Sequence, residues 1–164
     1  MVSEKSQQLF LEAVDALGAG PTSFSSLDDF MGSFSLPYKK ALLHDRFIRA
    51  SVWNLSKESP WSDDYKRFLL QVKPEASTRY LVGALANPAC VDAVKFVLLS
   101  YGASRDTVNP LVGALADPGR VDAATGILVS YGQEALQFIH EPISGTHRYK
   151  QITMVISMIN AKAA

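Results

Sequence analysis

The chain has 164 residues, 48% hydrophobic and 20% charged, the composition of a folded globular domain rather than a disordered one. Sixteen basic and sixteen acidic residues cancel. They are not segregated: residues 1–76 carry nine Lys/Arg and ten Asp/Glu, the remainder seven and six, so no basic face for a phosphate backbone emerges and nucleic acid is unlikely as a partner.

One cysteine, Cys90, excludes an internal disulfide and a cysteine-held zinc. No run nears the roughly 20 apolar residues of a membrane span, and MVSEKSQQLF lacks the basic-then-apolar pattern of a signal peptide. The expectation is a single-domain cytoplasmic protein, with no membrane partner, cofactor or metal.

In chain order, residues 3–17 predict a first helix with the stripe Leu9, Phe10, Ala13, Val14 and Leu17, stopped by Gly18. A Gly/Pro/Ser-rich connector carrying Phe24, Phe30 and Phe34 follows, with a short helix near 26–34. Pro37 opens a long helix to about Ser56. Leu43, Phe47 and Ala50 lie on one of its sides and Ile48, Val52 and Leu55 on the other, so it should be sandwiched. A short helix over 63–72 buries Tyr65, Phe68, Leu69 and Val72. Ten of sixteen aromatics fall in residues 1–76, and this shift in composition marks a boundary near Lys73-Pro74 within one domain.

Beyond it the chain repeats itself. Residues 81–102 (LVGALANPACVDAVKFVLLSYG) and 111–132 (LVGALADPGRVDAATGILVSYG) match at fourteen of 22 positions with an offset of 30. Such a period marks stacked helical units. Each reads helix, turn, helix. Asn87-Pro88 and Asp117-Pro118 should cap the second helices with Pro at the first position, and Gly102 and Gly132 should stop them in a left-handed conformation. Gly83, Ala84, Gly113 and Ala114 should let paired helices approach closely, and Pro110 should kink or restart its helix. A degenerate third unit runs from Gln133 to about Ile143, breaks at SGTHR, and closes with a helix over 149–161.

The pattern L-V-x-A-L-A-[ND]-P-x-x-V-x-A-x-x-x-x-L, closing with Y-G, resembles the short HEAT-like repeats of phycobilin lyases over about residues 75–132. The resemblance implies an all-α fold, a right-handed α-α superhelix of the HEAT/armadillo solenoid type, with residues 1–74 as a non-repeat helical portion. Asp92 and Asp122 stand where those repeats often carry Arg, so the usual inter-repeat Asp–Arg ladder has no counterpart at that position.

In solenoids of this kind the second helices line the concave surface. Val91, Val94, Leu98 and Tyr101, with Val121, Ala124, Leu128 and Tyr131, should point inward. Asp92, Lys95, Phe96 and Leu99, with Asp122, Thr125, Gly126 and Val129, should stay exposed as a protein-contact patch, unless the N-terminal segment covers them. The last helix (Ile152, Met154, Val155, Ile156, Met158, Ile159) has little polar face. Either N-terminal helices cover it or it forms a homodimer through residues such as Ile152 and Ile156.

No group has the makings of a catalytic residue. His140-Glu141 and His147-Arg148 are too far apart, across Pro142 and Gly145, for a zincin motif. Cys90, near a helix start, reads as a small buried hydrophobe or as an activated thiol. Asp28-Asp29 and Asp63-Asp64 suit the first turns of helices. Lys39, Lys40, Arg46 and Arg49 are interrupted by Asp45, and Trp53 and Trp61 suit a core better than a base stack. The chain thus reads as a non-enzymatic adaptor or regulator that binds a protein of unknown identity. Two alternatives are a bilin lyase-like, chromophore-handling protein and a HEAT-like DNA glycosylase-type binder.

Overall fold

The structure, a computed structural model, describes Asp45, Ile48, Arg49, Ser51–Trp53, Leu55, residues 62–139 and residues 147–163. The predicted helix over 3–17, the Phe24/Phe30/Phe34 connector, Asp28-Asp29, the Leu43/Phe47/Ala50 face, Lys39, Lys40, Arg46, Trp61 and the His140-Glu141 pair lie outside the described residues.

Every described element is a helix: α1 (Ser62–Gln71), α2 (Pro74–Ala84), α3 (Val91–Tyr101), α4 (Arg105–Ala114), α5 (Val121–Tyr131), α6 (Gln133–Leu136) and α7 (His147–Ala163). Helical residues between Asp45 and Trp53 precede them. The helices pack in two rows. α1, α3, α5 and α7 form one, each against the next; α2 and α4 form the other, and α2–α3 and α4–α5 cross-pack between rows. Short α6 joins α5 and α7. One cluster of buried apolar side chains, from Ile48 to Ile159, runs through the whole assembly.

The helix ends explain the pairing. Lys73 is extended and Pro74 takes the first position of α2, where its missing N–H has no helical partner to lose. Ser104 caps α4 in a reciprocal box: its hydroxyl accepts from the Thr107 amide, and the Thr107 hydroxyl accepts from the Ser104 amide. Gly102 and Gly132 have positive φ, 75° and 62°, where α3 and α5 stop, but with ψ of 175° and −143° they are extended and not left-handed helical, a region open essentially to glycine alone.

Three local expectations need correcting. Asn87 and Asp117 do not start α3 and α5. Their side chains accept from the amides of Ala89 (3.1 Å) and Gly119 (2.8 Å) and make separate turns, so the helices begin at Val91 and Val121. Pro110 does not restart its helix; α4 runs through it, forfeiting one backbone bond after a well-capped start. Gly83 and Gly113 face open space, since an added Cβ would meet nothing within 4 Å. Close approach is not what they provide.

The rows are joined by two tyrosines one repeat apart. Tyr101, at the end of α3, donates to the Leu69 carbonyl of α1 and shares a 2.9 Å hydrogen bond with Ser77 of α2. Tyr131, at the end of α5, donates to the Leu98 carbonyl of α3 at 2.5 Å, with Thr107 of α4 near enough to lower its pKa slightly. Each phenol therefore ties its helix to the preceding member of its row, and Tyr101 also ties its helix to its own partner across the rows. The carbonyls these phenols take lie in the last turns of helices, where backbone donors run out, although Leu69 also accepts from the Val72 amide at 3.1 Å. Outside the repeats, the Asp45 carboxylate accepts from Arg79 Nη2 at 2.6 Å and from the Tyr80 hydroxyl, and Arg49 stands 5.7 Å from the Tyr80 ring. Burial would raise the Asp45 pKa, but the bonds from Tyr80 and Arg79 and the two nearby guanidinium charges bring it below the usual carboxylate value.

Burial pushes the Tyr131 phenol up to about 12, against the smaller opposing effect of Thr107. The folded state thus holds this proton more tightly than the unfolded chain, so the contribution is complete below the ordinary phenol value and is lost as pH rises from about 10 to 12. Tyr131→Phe should cost about 1–2 kcal/mol in urea unfolding at neutral pH, by leaving the Leu98 carbonyl without its donor, and should blunt the alkaline loss. A variant as stable as the parent would show that this hydroxyl does not hold the rows together.

Candidate interaction surface

The row α1–α3–α5 is more regular than a fixed 30-residue period reveals. The segments Ser62–Gln71 and 91–100 align at an offset of 29: Asp63 with Asp92, Lys66 with Lys95, Leu69 with Leu98 and Leu70 with Leu99 are identical pairs. Since Tyr101 binds Leu69 as Tyr131 binds Leu98, α1 occupies the second-helix place of an earlier unit. The signal D-x-x-K-x-x-L-L was present in the sequence but one residue out of step.

Each helix of this row buries a pair four residues apart: Tyr65 and Leu69, Val94 and Leu98, Ala124 and Leu128. The opposite face is what a partner could meet. On α3 it consists of Asp92, Phe96 and Leu99, the two apolar residues 54% and 42% exposed, with Lys95 half-buried. On α5 the aligned positions are Asp122, exposed, Gly126, a bare backbone facing open space, and Val129, half-buried. On α1 they are Asp63, Arg67 and Leu70, all exposed. The surface thus has carboxylates where the helices begin and aliphatic side chains toward their ends. Lys66 bonds Asp63 at 2.8 Å and lowers its pKa.

One residue expected on the exposed surface is not there, and one offered as a homodimer contact lies in the core. Thr125 is buried, and among the described residues its hydroxyl has no hydrogen-bond partner. It aligns with Lys95, whose longer chain reaches toward solvent, whereas Thr125 sits between α5 and its neighbours. Ile152 is 2% exposed and joins Val155 and Ile159 in the core, with Ile156 half-buried beside them. The apolar character of α7 is therefore largely consumed by packing on α5 and α6. Trp53, expected in the core, is 77% exposed.

Other polar groups do not converge on chemistry. Cys90 is buried, its thiol facing the carbonyls of Ala84 and Asn87 at 3.6 Å, and burial raises its pKa. That is the opposite of thiolate activation. A shallow groove of about 260 Å³ between α2 and α4 is lined by Glu75, Thr78, Arg79, Arg105, Asp106 and Asn109, with charges of both signs. Arg120 pairs locally with Asp117. Among the described residues there is no group of three or more His, Cys, Asp or Glu side chains placed to hold a metal, and no helix long and apolar enough to cross a membrane.

Comparison with protein-family models, with curated proteins and with solved structures finds no match to this chain.

Thr125→Val should raise stability by about 1 kcal/mol, because a buried hydroxyl without a partner carries a desolvation cost that a methyl does not; an unchanged or lower melting temperature would contradict its burial. Ile152→Asp should detach α7 from the core and clearly lower the melting temperature, whereas Met154→Asp, two positions on and 44% exposed, should change stability by less than about 0.5 kcal/mol. Circular dichroism melts separate the two outcomes.

Proposed function

We propose that this chain is a non-enzymatic protein-interaction module, an adaptor or regulator built as a short α-solenoid of HEAT-like helix pairs with a right-handed superhelical course. Nearest-neighbour packing along two rows supports the architecture, as does a tyrosine latch recurring at 30-residue spacing. The observation that carries the function is the alignment of exposed apolar side chains, Leu70, Phe96 and Leu99, on one face of adjacent helices in the same row. Large apolar side chains held side by side in water on a rigid frame are the usual raw material of a contact surface. Gly126 leaves room next in the row for a partner's side chain.

The test places a photo-crosslinking benzoylphenylalanine at position 96 or 99, and as a control at the exposed position 83 on the other row. A discrete protein adduct from the native source at 96 and 99, absent at 83 and lost on Leu70→Asp in a folded variant, is the expected result. Identical adducts at all three positions would remove the reading.

A further inference from the structure

The outer side of α7 carries a second feature, independent of the row face. Lys150, Met154, Met158 and Lys162 follow one another at four-residue steps, and all four are exposed, the methionines at 44% each. On a helix such positions form a continuous ridge, here about 18 Å long at 1.5 Å per residue. The ridge is apolar in the middle and cationic at both ends.

Its surroundings sharpen it. The helix HRYKQITMVISMINAKA contains no acidic residue. Among the described residues neither lysine has a carboxylate partner, although Glu134 lies on α6, which packs against α7. Beside the ridge, Thr153 and Ser157 turn their hydroxyls back onto the carbonyls of Tyr149 (2.9 Å) and Thr153 (3.0 Å). Those hydroxyls are already satisfied, so this flank offers mostly carbon surface. The inner side of α7 is already filled, with Ile152, Val155 and Ile159 in the core. The exposed methionines are thus not leftovers of an incomplete fold.

We propose that this ridge docks an amphipathic helix of a partner protein whose apolar stripe is flanked at both ends by carboxylates. Ridge packs into groove in the ordinary way of helices. Methionine side chains adapt to the partner's stripe, and the two lysines fix its position by charge complementarity. A second copy of the chain fits worse. An antiparallel α7 pair centred on the methionines would set Lys150 of each copy against Lys162 of the other, like charge against like.

The probe is a synthetic helical peptide of alanine and leucine, long enough to span the ridge, with glutamates at both ends; its counterpart ends in lysines. With the full chain labelled at its methionine methyls, the glutamate-ended peptide should shift the Met154 and Met158 signals, and the lysine-ended one should not. Affinity should fall at least about tenfold on Lys150→Glu with Lys162→Glu, and comparably on Met154→Ser with Met158→Ser, in variants whose circular dichroism is unchanged. Phe96→Asp, on the row face, should leave this binding intact. The proposal is overturned if the two peptides bind alike, if charge reversal has no effect, or if phosphatidylserine vesicles shift the two methyls while the peptide does not. Light scattering at twice the chain mass, with Met154 and Met158 protected in the dimer, would also overturn it in favour of a second copy.

Discussion

A phenol hydroxyl at the end of a helix has a short reach, and where it finds a carbonyl on the next helix it sets how far one helix can slide along the other. Tyr101 and Tyr131 do this twice at the same place in successive units. Because Ser77 also binds the Tyr101 hydroxyl, in the first unit one atom fixes the register along the row and the pairing across the rows. Burial of Leu69, Leu98 and Leu128 follows from that register, and so does the exposure of Leu70, Leu99 and, in part, Val129 one residue later. The exposed face is the other side of the latched one.

Much of this was legible in the sequence. The glycines stop their helices where the sequence puts them, with positive φ that other residues take only with strain. The alternation of buried and exposed positions on α3 follows from helical spacing alone, and Asp92, Phe96 and Leu99 lie where that spacing puts them. The role of the tyrosines was not legible. They read as the closing residues of a repeat, and only tertiary placement reveals a bond to a helix some 30 residues earlier.

The misreadings share a cause. Thr125 belongs to the surface by helical position within its own unit, but burial depends on what the neighbouring helices cover. The place of α1 was missed because a connector one residue shorter breaks a strict period without breaking the stacking. Asn87 and Asp117 were read as caps when their side chains had a nearer amide to hold. Local chemistry was right in kind there and wrong by one turn.

The latch also has an end. In the third unit the place of Tyr101 and Tyr131 is taken by Ala161, and that of Ser77 and Thr107 by Gln137. What joins α6 to α7 near that point is an exposed side-chain bond from Gln133 to Asn160 at 3.2 Å. Cooperativity along the row is therefore unequal. The first units are coupled through buried hydroxyls, and among the described residues the last is held by apolar packing and that one exposed bond. Such a chain opens from its C-terminal end, with amide hydrogens of α7 exchanging by a local excursion that leaves α1 to α5 intact. The element bearing the methionine ridge is then the one the fold can most easily release.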